Sequence, residues 1–288
     1  MTTSRCPPAI FLLVAAIAAA GAGLAPAAAL TEAQAVAAVE RFMVAWNTRD
    51  PQAFAATLHY PHVRPSPGGG GEVYATAEEY AATIDFARVA ATGWVRSALD
   101  STRVVHLGAG KAHVAGRYAR FRADGSRIFT TQVTYVVTER SGSIGIQARF
   151  AAGPVLESKE EREAAASAAV AVVEAYMAAF NARDEEAWVS TFHYPHLRLA
   201  GGEVRSWPNG DAYREAFDFD EFAKRLGWQA SVWDSIEPVQ VAKDGVVVAL
   251  RATRRDAAGA AISTFDTLYL VTREDGGWGV RARSSFAE

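Results

Sequence analysis

Cysteine occurs once in 288 residues, at Cys6, and the chemistry that thiols support is missing with it. Cys6 precedes an uninterrupted apolar run, Ile10 to Ala20, which follows a short polar start containing Arg5. Ala27-Ala28-Ala29 then offers the small-x-small pattern of a signal-peptidase site, so residues 1–29 read as a secretory signal removed before Leu30. The apolar run is shorter than the roughly 20 residues of a spanning helix, so cleavage is expected rather than a retained anchor. Cys6 is misplaced for lipid attachment and leaves with the signal. The expected mature protein is periplasmic or secreted, has no membrane contact, and has no thiol for disulfides, nucleophilic catalysis or metal binding. A surplus of positive charge is missing too. The formal net charge is −3 and no long Lys/Arg run appears, so nucleic acid is not an expected partner.

What is present is a repeat. His59-Tyr60-Pro61-His62 returns 134 residues later as His193-Tyr194-Pro195-His196, and Val39–Arg64 aligns without a gap on Val173–Arg198 with 14 of 26 positions identical. The same offset places Gly93-Trp94 on Gly227-Trp228, Tyr135 on Tyr269, Thr138 on Thr272 and Arg149 on Arg283. The chain is a tandem duplication. Its organisation reads as a signal peptide over 1–29, a first domain over 30–152, a linker over 153–161 and a second domain over 162–288. Each unit is large enough to bury its own core.

Within each unit the hydrophobic period changes once. Val36, Val39, Phe42, Met43 and Trp46 have helical spacing between Thr31 and Thr48, and Val170, Val173, Tyr176, Met177 and Phe180 repeat that face. Thr31 with Gln34 reads as a capping box. Asp50 and Asp184 are positioned to cap short following helices that carry Phe54 and Trp188. Pro61 and Pro195 force an extended arm. Gly-rich loops follow at Gly68–Gly71 and Gly201-Gly202, then a single second helix is expected over Thr76–Ala91 and over Asp211–Leu226. After Gly93 and Gly227 short alternating segments, separated by turns, predict about four antiparallel strands. Helices first and strands last make the fold class α+β: a curved, mostly antiparallel sheet with helices on one face, twice over.

This order of elements, with helices ending Trp46-Asn47-x-x-Asp50 and Phe180-Asn181-x-x-Asp184, resembles the nuclear transport factor 2-like superfamily, in particular its SnoaL-like branch. The resemblance implies two cone-shaped domains, each a bent sheet wrapped by helices around a pocket. Members of that superfamily include ketosteroid isomerase, scytalone dehydratase, polyketide cyclases and many binders without catalysis. They commonly pair through their sheets, so a tandem chain is expected to form a pseudo-dimer from its own two domains. One departure matters. Ketosteroid isomerase-like chemistry needs a carboxylate base on the arm inside the cone, where burial raises its basicity. Neither arm here contains Asp or Glu.

The repeated block supplies the candidate site. On an extended arm, residues i and i+3 project to opposite faces, which argues against two histidines of one block sharing a metal, and no metal or cofactor is expected. His62 and His196 are chosen as the inward, catalytic candidates, acting as acid, base or hydrogen-bond donor. The alternative is a structural corner in which a histidine caps the short helix while Tyr and Pro pack. Tyr60, Arg64, Tyr194 and Arg198 share the inward face as ligand-binding candidates; the competing, favoured reading of Arg64 and Arg198 is structural, paired with an acid such as Asp50 or Asp184. Trp94, Tyr135, Trp228 and Tyr269 complete the candidates as aromatic walls suited to a small apolar or aromatic ligand, or else as plain core. His106 and His113 have no histidine counterparts in the second copy, where Gln240 and Val247 hold the aligned positions, and they read as surface or strand positions. Gly68–Gly71 lacks the Lys-Ser/Thr of a phosphate loop. The expected function is an exported small-molecule binder with a pocket per domain, with an enzyme of the lyase, isomerase or cyclase kind as its catalytic form. The competing expectation is a non-catalytic association module whose cones are filled by their own side chains.

Overall fold

The computed structural model describes residues 29–65, 67, 71–274 and 277–287; the signal peptide expected over 1–29 lies outside the described residues except for Ala29. The first repeat opens with α1 (Glu32–Asn47), whose capping box from Thr31 and Gln34 is present as expected. Asp50 then accepts the amides of Gln52 and Ala53 to start α2 (Pro51–Ala55). The arm follows as β1 (Leu58–Pro65) and turns back into β2 (Gly71–Tyr74). After α3 (Ala77–Ala82) and α4 (Phe86–Ala90) come four long strands: β3 (Arg96–Leu107), β4 (Lys111–Phe121), β5 (Arg127–Arg140) and β6 (Ser143–Pro154). The second repeat runs α5 (Lys159–Ala182), α6 (Glu185–Ser190), β7 (Phe192–Ala200), β8 (Glu203–Trp207), α7 (Gly210–Glu215), α8 (Phe219–Leu226), β9 (Ala230–Val241), β10 (Gly245–Arg255), β11 (Ala261–Glu274) and β12 (Gly277–Ser285).

One sequence expectation needs correction. The second helix of each repeat is two short helices, because Asp85 and Asp218 cap a fresh start by accepting from Arg88 N and Glu221 N. The four antiparallel strands expected after Gly93 and after Gly227 are present, and two more from the arm region complete six-stranded sheets in the orders β2-β1-β6-β5-β4-β3 and β8-β7-β12-β11-β10-β9. The arm joins the sheet directly. It pairs parallel with the last strand of its own repeat while every other pairing is antiparallel. Both sheets are open and mixed, with their helices on one face, and the fold is two α+β cones.

The repeated Asn-x-Arg-Asp segment is a joint between helix and sheet. Asn47 clamps Ser97 at the start of β3, accepting its amide at 2.8 Å and donating to its carbonyl at 2.9 Å. Asn181 does the same to Ser231, both bonds at 2.8 Å. Arg49 and Arg183 take the left-handed conformation, φ +61° and +56°, that lets the chain leave the helix. Their guanidinium groups then lie 5.1 and 5.6 Å from the rings of Trp94 and Trp228.

The faces turned away from the helices pack on each other. Val63, Val136 and Phe150 of the first sheet form one apolar cluster with Leu197, Leu268 and Leu270 of the second. Polar bonds cross the same interface: Thr134 Oγ1 donates to Gln240 Oε1 at 2.9 Å, and Gln132 Nε2 to the Val241 carbonyl at 2.9 Å. His113, expected at a surface or strand position, lies on β4 but is fully buried there, with Nε2 2.8 Å from Ser284 Oγ and Nδ1 2.9 Å from Nδ1 of His106. Both histidines are on strands, one of the two placements expected, and His113 is covered because the outer face of one sheet is the inner face of the assembly.

Candidate functional site

The repeated block is placed by strand alternation. Val63 and Leu197 point into the core between the sheets, so His62 and Arg64, and His196 and Arg198, face the helices. The Tyr-Pro bond is cis in both copies, and the pairing to β6 and β12 shifts register across the block. The Tyr60 hydroxyl donates to the Ala55 carbonyl at 2.9 Å and the Tyr194 hydroxyl to the Val189 carbonyl at 3.0 Å. Tyrosine, rather than histidine, therefore ties the arm to the short helix. His59 and His193 take the other face, their Nδ1 atoms 2.7 and 2.8 Å from the hydroxyls of Thr138 and Thr272. Each ring lies so close over Gly145 or Gly279 that a Cβ there would come within 2.7 or 2.6 Å of it.

His62 and His196 are fully buried. Nδ1 of His196 is 3.0 Å from the Val280 carbonyl, so it carries the proton; Nε2 is then free to accept, and Arg283 Nε donates to it at 3.1 Å. His62 repeats this with the Ile146 carbonyl at 3.1 Å and a longer contact from Arg149 Nε at 3.4 Å. Burial, and then the neighbouring guanidinium, holds both imidazoles well below the usual histidine range. Each is a neutral ring with both nitrogens engaged.

Arg283 is the centre of the second cone. Its Nη1 donates to Tyr176 Oη at 2.8 Å and to Tyr269 Oη at 3.5 Å, and its Nη2 donates to Tyr213 Oη. The guanidinium carbon lies 5.1 Å from the Phe192 ring. Burial works against its charge, but the surrounding Tyr213, Tyr176 and Tyr269 outweigh that and raise its pKa. In the first repeat Arg149 donates to Tyr80 Oη, and Phe42 stands where Tyr176 contributes a phenol. Arg283, Tyr213 and Arg254 were not singled out by sequence reasoning. The repeat identity of Arg149 with Arg283 was the available signal.

A cavity of about 580 Å³ opens in the second repeat beside Arg283, Tyr213 and Tyr269. Trp188, Trp207, Phe217, Phe222 and Trp233 form its walls, and Arg198 and Arg254 also line it. Its space has a visible origin in sequence. Trp233 pairs with Ala252 across β9 and β10, and the equivalent pair in the first repeat is Leu99 with Tyr118. A small side chain in the second repeat thus replaces a phenol that packs against the first core. Arg64, at Arg198's place in the first repeat, is half exposed and 3.8 Å from Glu72. Asp50 and Asp184 are occupied as helix caps, Asp184 accepting from Ala187 N.

The remaining candidates divide between wall and core. Tyr269 lines the cavity. Tyr135 is buried with its ring centre 5.5 Å from that of Phe42. Trp94 and Trp228 sit in the core, their indole N–H groups donating to Ser97 Oγ at 3.0 Å and Ser231 Oγ at 2.9 Å. Among the described residues no three His, Cys, Asp or Glu side chains come together as a metal-binding set. A second cavity of about 410 Å³ lies between the repeats beside Lys111, Arg140 and Phe286. The Lys111 ammonium donates to the Ser285 carbonyl at 2.8 Å, and burial followed by the charge of Arg198 pulls its pKa down to about 8.

A family model described as NTF2-like protein (DUF6841) matches the chain twice, over residues 31–149 and 163–285. No curated protein matches it. Among solved structures it is similar to an NTF2-like protein with a cystatin-like fold from Novosphingobium aromaticivorans, at 12% identity and TM-score 0.37, covering 46% of this chain and 92% of that one. A ketosteroid isomerase-like protein from Erwinia carotovora atroseptica is similar at 20% identity and TM-score 0.33, covering 45% and 97%. A protein with a cystatin-like fold from Nostoc punctiforme is similar at 11% identity and TM-score 0.36, covering 42% and 90%.

Proposed function

The chain belongs to the NTF2-like family DUF6841, and we propose that it is an exported small-molecule-binding protein whose second repeat holds the ligand. The observation that carries this reading is the 580 Å³ cavity with a buried, hydrogen-bonded arginine at one end and aromatic side chains around it. Its size and mixed lining suit an organic molecule of modest size. Aromatic walls supply the apolar contact, and the polar end fixes orientation.

His196 acts in this reading as a positioning residue. Its protonated nitrogen is spent on the Val280 carbonyl and its lone pair on Arg283. A general base needs a lone pair open to the substrate. The ring instead fixes the plane of the guanidinium, which presents charge toward the cavity. Export rests on residues 1–29, whose apolar run and Ala-rich exit support a cleaved signal.

A thermal-shift screen of the protein purified after export, against small aromatic and polyketide-like compounds, tests the binding. The reading expects a subset to raise the melting temperature, with the rise growing as the logarithm of concentration above saturation. A panel that leaves the melting temperature unmoved would favour cones that serve only as scaffold. Sequencing the amino terminus of the exported protein tests the signal, with a start at Leu30 expected.

A further inference from the structure

We infer that the ligand of this cavity is an organic carboxylate on an aromatic or alicyclic skeleton, held by Arg198 and Arg254. The inference rests on the binding role proposed above and names the class of ligand.

Three arginines, Arg198, Arg254 and Arg283, line the same cavity. Among the described residues none of the three forms an ion pair with a carboxylate. The acids that line the same space are otherwise engaged or at the rim. Glu203 pairs with Arg205, Asp218 caps α8, and Glu221 is exposed. Buried charge without a counter-ion is expensive, and proteins ordinarily supply a partner. Arg198 and Arg283 are moreover direct register partners on the parallel strands β7 and β12, where like charges side by side repel. An anion between them and Arg254 relieves both costs.

The hydrogen-bonding inventory singles out two of the three. Arg283 spends its donors on His196 and three tyrosines. Arg198 and Arg254 donate to no acceptor among the described residues, although both are partly buried. Arg254 lies against two rings, its guanidinium carbon 4.7 Å from the Phe265 ring and 5.3 Å from that of Phe222. Guanidinium edges left free in an aromatic-walled space match the two oxygens of a carboxylate attached to an apolar body. The first repeat shows the contrast: Arg64 is half exposed beside Glu72, with its counter-charge already supplied.

Matched probes test this: 2-naphthoate against 2-naphthamide, and cyclohexanecarboxylate against its amide, titrated into the full mature chain by calorimetry. The acids are expected to bind roughly tenfold or more tightly than their amides, as charge-assisted hydrogen bonds imply. R198Q and R254Q should each remove most of that preference; R64Q, whose arginine lies outside this cavity, should leave acid binding, amide binding and melting temperature unchanged. Amides that bind as well as acids, or a preference that survives both R198Q and R254Q, overturn the carboxylate assignment and leave the binding cavity standing. Failure of every acid and every amide to bind overturns both readings. If inorganic phosphate competes with the acids as well as free acetate does, the charge recognition stands but the preference for a carboxylate is lost.

Discussion

Arg283 Nε donates to Nε2 of His196 at 3.1 Å, so a buried guanidinium is held by a buried imidazole in place of a carboxylate. The imidazole can accept only while neutral, and its other nitrogen is fixed as a donor by the Val280 carbonyl. Substituting His196→Phe keeps the ring volume and removes both bonds. It is expected to lower stability by about 2–4 kcal/mol, measured by urea denaturation, because Arg283 and the Val280 carbonyl lose their partners in a dry environment. His62→Phe should cost less, since the Arg149 contact is longer at 3.4 Å.

Acid should unfold the protein through the same rings. His62, His113 and His196 are all buried with pKa values well below 6.5, so the unfolded chain takes up protons before the folded chain does. Their contribution is fully present above pH 6.5 and is lost as pH falls below it toward the folded values. Each histidine then costs about 1.4 kcal/mol per pH unit. Denaturation midpoints measured between about pH 7.5 and about pH 5 should fall steeply in wild type and less steeply in His196→Phe.

The tyrosines of the repeated block should prove structural. Tyr194→Phe loses the bond to the Val189 carbonyl, and a loss of about 1 kcal/mol is expected with ligand affinity unchanged. An affinity loss without a stability loss would move Tyr194 into the binding site.

The cavity should close by grafting the first repeat onto the second. The double substitution Ala252→Tyr with Trp233→Leu recreates the Tyr118–Leu99 pair. It is expected to change stability by less than about 1.5 kcal/mol, because the new phenol enters space that is already open and leucine in place of Trp233 leaves it room. Compound-dependent thermal shifts should disappear.

Much of the architecture was legible because the repeat doubled every signal. Thr31 and Gln34, Asp50 and Asp184, and the helical faces through Phe42 and Tyr176 all read correctly from spacing and capping chemistry. The inward placement of His62 and His196 followed from alternation on an extended arm. What spacing could not give was contact across the fold. Arg283 is a single basic residue on a strand, and nothing local says that Tyr176, Tyr213 and Tyr269 converge on it from α5, α7 and β11. The split of each second helix was hidden because Asp85 and Asp218 fit a helix surface as readily as a cap. The strand placement of His113 was legible but its burial was not, because the covering sheet comes from the other repeat.

The most direct measurement is calorimetric titration of 2-naphthoate into the protein, beside the variant carrying Ala252→Tyr with Trp233→Leu. Saturable binding near one molecule per chain is expected, lost in the filled variant and retained when Tyr118, at the same place in the first repeat, is changed to Ala. Binding that persists with the second cavity filled, or that vanishes only when the first repeat is altered, would place the ligand elsewhere.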